Sequence, residues 1–234
     1  MSREFFDQLY IPEPDINLGV GSGTQSEQTG KIMTGYEELL ISSRCDLCLV
    51  LGDVTSTMAC AITAQKLNIP VAHVEAGIRS GDWSMPEEIN RIVTDAITNW
   101  FFTTSETAND NLRHNGIDND HLFFVGNTMI DTLLANLSRL RKPSFFKEFN
   151  LEEGEYFVTT LHRPANVDNI DEFTFLLDAI SESTRELPVI FPLHPRTAKT
   201  VKSMIEVPCN IHLVDPQPYL EFNFLVKFAK AVIT

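Results

Sequence analysis

The chain has 234 residues, 43% hydrophobic and 21% charged, with a formal net charge of −14. That length builds one large domain or two smaller ones with real cores. The charge argues against general nucleic-acid binding, which needs a basic surface, though a few local arginines can still hold a small anion. No apolar run nears the ~20 residues that cross a bilayer, and the N-terminal "MSREFFDQLY" carries acids where a secretory leader has an apolar stretch. The expectation is a cytoplasmic protein with neither nucleic-acid nor membrane partners.

The first element, "SREFFDQLYI", reads as an amphipathic helix. From Arg44 onward two periods alternate. "CDLCLVL" is a short apolar strand, "VTSTMACAITAQKLN" a helix and "IPVAHVEA" a strand. "PEEINRIVTDAIT" is a helix opened by Pro86, with Ile89, Ile92, Val93, Ala96 and Ile97 as its apolar stripe. "WFFTT" is a strand, "SETANDNLRHNG" a Ser-capped helix, "HLFFVG" a strand, and "NTMIDTLLANLSRL" a helix striped by Ile130, Leu133, Leu134 and Leu137. "RKPSFFKEFNLEEGE" breaks the rhythm with Pro, Gly and mixed charge. Beyond it "YFVTTLH", "LPVIFPLH", "NIHLVD" and "KAVIT" read as strands. The helices between them are "DEFTFLLDAISESTRE", with Phe173, Leu176, Leu177 and Ile180 at core spacing, "RTAKTVKSMIE" and "YLEFNFLVKFA".

Strands separated by helices imply parallel sheets covered on both faces. The expected fold is α/β, with two Rossmann-like parallel-sheet domains, each incomplete. Residues 1–142 form an N-terminal domain lacking its first strand, 143–154 a linker, and 155–234 the first part of a C-terminal nucleotide-binding domain. A helix with no strand before it and a final strand with no helix after it suggest a piece of a longer chain.

Cys45 and Cys48 have redox-motif spacing, but a strand would point them to opposite faces. No second Cys or His pair completes a zinc site. With Cys60 and Cys209 they read as small buried residues of a reduced protein, and no metal is expected.

Ligands of open parallel sheets bind outside the carboxyl ends of the strands. There the chain places Asp53, Glu75, the pair His162–Arg163, and His194 with Arg196 close by. Each has a structural alternative. Asp53 could cap the next helix, Glu75 could pair with Arg79, and either histidine could be a satisfied core residue. Glu87 and Arg91 are four apart and share a helix face. With Asp53 and Glu75 they would set three carboxylates near one guanidinium, an arrangement suited to removing and returning a proton. The His–Arg pairs, facing them across a cleft between the blocks, suit a phosphate leaving group.

The motifs "GDVTST", "HVEAGIRS", "MPEEINRIVTD", "FFTTSETANDNL", "VGNTMIDTL", "TLHRPANVDN", "PLHPRT" and "DPQPYLEF", in this order and spacing, resemble the non-hydrolysing UDP-N-acetylglucosamine 2-epimerases over essentially the whole chain. The resemblance implies a GT-B-like fold and conversion of UDP-GlcNAc to UDP-ManNAc for cell-surface polysaccharide precursors, with no cofactor. The route is elimination of UDP to a 2-acetamidoglucal and re-addition. It implies Asp53, Glu75, Glu87 and His162 as catalytic residues, Arg79, Arg91, Arg163, His194 and Arg196 as substrate-binding residues, and a homodimer in the full-length form. Family segments that grip the phosphates and the nucleotide are not found here, so poor binding of the UDP-sugar and slow turnover, or none, are expected of these 234 residues alone. Alternatives are an epimerase for a related UDP-2-acetamido sugar, a GT-B glycosyltransferase and an inactive fragment.

Overall fold

The computed structural model describes residues 3–161, 169–185, 187–193, 197 and 207–234. They divide into two compact units, Pro14–Leu134, and Met1–Glu13 together with Ala135–Thr234.

Helix α1 (Arg3–Leu9) opens the chain and belongs to the second unit. The first unit runs α2 (Gln25–Ser42), β1 (Cys48–Leu51), α3 (Thr55–Lys66), β2 (Val71–Val74), α4 (Pro86–Ala96), β3 (Trp100–Thr103), α5 (Glu106–His114) and β4 (Leu122–Phe124). Its four strands lie in sequence order and are all parallel, as strands joined by helical crossovers must be. Helix α3 packs against α2, α4 and β1. It can do so because its buried positions are small: Thr57, Ala59, Ala61, Thr63 and Ala64. Leu40, Cys48, Val50, Ile69 and Val71 complete that core.

Four features of this unit differ from the sequence reading. Helix α2 is not anticipated, yet its start is specified by a capping box. The Glu27 N–H donates to Thr24 Oγ1 and the Thr24 N–H to Glu27 Oε2. The apolar run of β1 is buried on alternate residues, with Leu49 and Leu51 exposed. Helix α4 turns its polar side inward: Glu88, Asn90, Arg91, Thr94 and Asp95 are buried while Ile89 is exposed. Cys45 precedes β1 instead of lying in it, and joins Cys48 and Cys60 around one core cluster. All four cysteines are free, but only Cys48 is fully buried, and Cys209, expected inside, is exposed because it lies in the turn before the strand Ile211–Val214. Burial pushes the Cys60 thiol up to about 11, which keeps it protonated and unreactive.

Helix α6 (Thr128–Asn136) spans the division between the units. Its expected stripe is open at Ile130 and Leu134. The second unit continues with α7 (Phe145–Glu148), β5 (Phe157–Thr159), α8 (Ile170–Ser183), β6 (Val189–Pro192), β7 (Ile211–Val214), α9 (Tyr219–Phe228) and β8 (Ala231–Ile233). The strand order is β7-β6-β5-β8, again all parallel. One core contains Tyr156, Val158, Ile190, Phe224 and Leu225, and the other Phe173, Leu177, Val189, Phe191 and Ile211. Alternate strand residues feed opposite sides, which makes a three-layer α/β unit.

The stretch expected as a linker contributes Phe146 and Leu151 to the first of these cores. Helix α1 docks through Gln8, whose Nε2 donates to Glu221 Oε2 at 2.8 Å and whose Oε1 accepts from the Leu220 N–H at 3.0 Å. The expected helix "RTAKTVKSMIE" lies, apart from Thr197, outside the described residues. Among the described residues no helix is long and apolar enough to cross a membrane.

Candidate active site

The carboxyl ends of β1 and β2 carry the candidate residues of the first unit. After β1 the chain turns through Gly52, at φ +70°, into Asp53. After β2 it turns through Glu75, at φ +69°, a left-handed conformation costly for a residue with a Cβ. The two turns are in register. A Cβ at position 52 would stand 3.4 Å from Glu75 Oε2, an ordinary contact, so it is the φ and not the space that calls for glycine.

Helix α4 supplies the group that joins them. Arg91 Nη2 lies 2.6 Å from Asp53 Oδ2 and 4.0 Å from Glu75 Oε2, and Arg91 Nη1 donates to the Glu75 carbonyl. Asn90, beside it, donates to the Asp53 carbonyl at 2.8 Å. The side chain of Arg91 is 6% exposed, against 34% for Asp53 and 18% for Glu75. The cation is therefore fixed from below while both carboxylates stay open to a ligand. Helix α3 takes its N-cap at Val54, with no side-chain capping bond. Asp53 is engaged by Arg91, not by the helix it precedes.

Glu87 lies in the first turn of α4 with an exposed side chain and no hydrogen bond or ion pair to a described residue. Its neighbour Glu88 is the one turned inward, accepting from the Ser80 N–H at 2.8 Å, the Ser80 hydroxyl at 3.0 Å and the Gly81 N–H at 3.2 Å. Arg79 pairs with Asp95 at 2.6 Å rather than with Glu75. His73, Glu88, Asn90 and Asp95 are the polar residues that sequence reasoning passed over. The available signal was the 90–91–94–95 spacing, which sets Asn90, Arg91, Thr94 and Asp95 on one side of α4.

In the second unit the strand order reverses between β5 and β8, and the crevice outside such a reversal is where doubly wound sheets take ligands. Thr160 Oγ1 lies 3.2 Å from Thr234 Oγ1 at that edge, and the Leu161 carbonyl accepts from Thr197 Oγ1 at 3.1 Å. His162, Arg163, His194 and Arg196 lie outside the described residues. Among the described residues no three His, Cys, Asp or Glu side chains group to hold a metal ion.

Two solvent-accessible carboxylates around a fixed guanidinium can accept and return a proton at a carbon held between them.

The family model for UDP-N-acetylglucosamine 2-epimerase matches residues 1–234. A Methanococcus maripaludis protein named UDP-N-acetylglucosamine 2-epimerase homolog is 43% identical over all of this chain and 67% of its own length. A Pseudomonas aeruginosa protein named UDP-2,3-diacetamido-2,3-dideoxy-D-glucuronate 2-epimerase is 35% identical over 100% of this chain and 66% of its own. The crystal structure of Methanocaldococcus jannaschii UDP-GlcNAc 2-epimerase, in complex with UDP-GlcNAc and UDP, superposes with a TM-score of 0.86 at 40% identity, covering 99% of this chain and 66% of that one. The chain thus spans about two thirds of the length of its relatives. With its two parallel-sheet units and a match from end to end, it belongs to the UDP-N-acetylglucosamine 2-epimerase family.

Proposed function

We propose that the chain carries the proton-transfer site of an enzyme that interconverts UDP-GlcNAc and UDP-ManNAc. The observation that supports it is the Asp53–Arg91–Glu75 cluster at the carboxyl edge of the first sheet. The C2 proton of an acetamido sugar is not acidic, so its removal needs a positioned base together with stabilisation of the leaving group. One carboxylate takes the C2 proton while the C1–O bond breaks, its electron pair leaving on the β-phosphate oxygen of UDP. The product is 2-acetamidoglucal. UDP re-adds through that oxygen to C1, and C2 receives a proton on the opposite face. Nothing is oxidised overall. Asp53, Glu75 and Glu87 are the acids of this step. Arg91 holds the first two in place. His162, Arg163, His194 and Arg196 take the diphosphate, and the family resemblance is what supports that part of the reading.

The test is incubation of the chain with UDP-GlcNAc in heavy water. Deuterium accumulating at C2 of both UDP-GlcNAc and UDP-ManNAc is the expected result, even at turnover well below the ~1 per second of common enzymes. Sugar transfer to an acceptor with C2 untouched would contradict it and favour a glycosyltransferase. The Pseudomonas relative's name favours a second substrate class, the UDP-2,3-diacetamido uronic acids. Deuterium appearing in such a sugar and not in UDP-GlcNAc would select it.

A further inference from the structure

Beneath the carboxylates of the first unit lies a second polar array. His73 sits on β2, two residues before Glu75, and its side chain is fully buried. Its Nδ1 is 2.7 Å from Asp95 Oδ1 and its Nε2 is 2.8 Å from the Gly52 carbonyl oxygen. Asp95 Oδ2 accepts from the Gly77 N–H at 3.1 Å and from Arg79 Nη1 at 2.6 Å. Gly77, at φ +79°, has no room for a side chain, since a Cβ there would meet the Ala108 carbonyl at 2.4 Å.

A histidine buried this way could be no more than a satisfied core residue. The partners argue for a narrower role. Gly52 immediately precedes Asp53, and Gly77 follows Glu75 by two residues. The array therefore grips both turns that present the carboxylates, from their buried side. We propose that His73, held by Asp95, is a positioning residue for the Asp53–Glu75 pair. Its Nε2–H bond to the Gly52 carbonyl sets the turn that aims Asp53. Asp95, through the Gly77 N–H, sets the turn that aims Glu75. This rests on the epimerase reading for its kinetic consequence and on geometry alone for its structural one.

Two isosteric replacements separate the ring's two bonds. A glutamine amide nitrogen reaches the Nε2 position, so His73→Gln keeps the Gly52 bond and loses Asp95. His73→Asn reaches only the Nδ1 position and does the reverse. With folding checked by circular dichroism, C2 deuterium exchange in UDP-GlcNAc is measured across substrate concentrations. His73→Gln is expected to stay within about tenfold of the unsubstituted chain, while His73→Asn loses roughly 100-fold in kcat with KM unchanged, the scale of a ~1 Å misplacement. Equal kcat in the two variants, or a loss confined to KM, overturns the proposal.

The backbone amide signal of Asp53 gives a readout independent of turnover. It is expected to move in His73→Asn and hold in His73→Gln, and the same behaviour in both overturns the proposal. Asp95→Asn, which keeps the volume of the site, serves if neither His73 variant folds. The Gly77 and Asp53 amide signals are then expected to shift together, and unmoved signals overturn the proposal. An unsubstituted chain that exchanges no deuterium would be the inactive fragment that the missing family segments allow, and the amide signals would then decide the positioning role.

Discussion

Glu75 holds a backbone conformation that costs a residue with a Cβ roughly 1–2 kcal/mol, and it does so at the carboxyl end of β2. Arg91 donates to its carbonyl and stands 4.0 Å from its side chain, which over-determines a conformation the residue would otherwise leave. Glu88 shows the same economy of contacts on α4. Burial draws its carboxyl upward, but the Ser80 and Gly81 N–H groups, the Ser80 hydroxyl and the Arg79 charge outweigh burial and hold it below its ordinary 4.5. A carboxyl lowered by folding adds stability that is fully present above its unfolded value and lost as pH falls through its folded one. Glu88→Gln is therefore expected to lose about 1 kcal/mol at pH 7, with the difference from the unsubstituted chain closing as pH falls below that ordinary value. Thermal melts between pH 3 and 7 check it, and a gap independent of pH would contradict it. The positions of Asp53 and Glu75 were legible in the sequence because each lies just beyond the end of an apolar strand. His73 was not, because inside "VAHV" it looks like any strand residue, and its role depends on where Asp95 and Gly52 arrive in space.

At the scale of elements, the apolar rhythm located β1 to β3, α5 and α8, the last burying Phe173, Leu177 and Ile180 as its spacing requires. It misled on α4. Periodicity assumes that the buried side of a helix is the apolar one, and α4 buries Arg91 and Asp95 because their partners Asp53, His73 and Arg79 lie beneath it. Helix α2 went unread for a different reason. Of its apolar residues only Ile32 and Leu40 are buried, too few to show a stripe, and its signal was the box "TQSE". Replacing Thr24 by Ala removes the hydroxyl that the Glu27 N–H bonds to and is expected to lower stability by about 1 kcal/mol. Chemical denaturation measures this, and an unchanged midpoint would show that tertiary packing alone holds α2.

At the scale of the whole molecule, the alternation of strand and helix was enough to give two parallel-sheet units, because parallel strands need long crossovers. Strand order was not readable. That β8 lies beside β5, reversing the order, follows from packing and not from spacing. The division of the chain was also hidden, because α1 contacts α9 across more than 200 positions of sequence. The central claim is that the first unit presents Asp53 and Glu75 as a proton-transfer pair held by Arg91, and isosteric neutralisation of the two acids tests it most directly. Asp53→Asn and Glu75→Gln, each with UDP-GlcNAc binding followed by calorimetry, are expected to lose C2 deuterium exchange by about 100-fold or more, the scale of removing a general acid or base, while binding persists. Exchange at the unsubstituted rate in both variants would contradict the account.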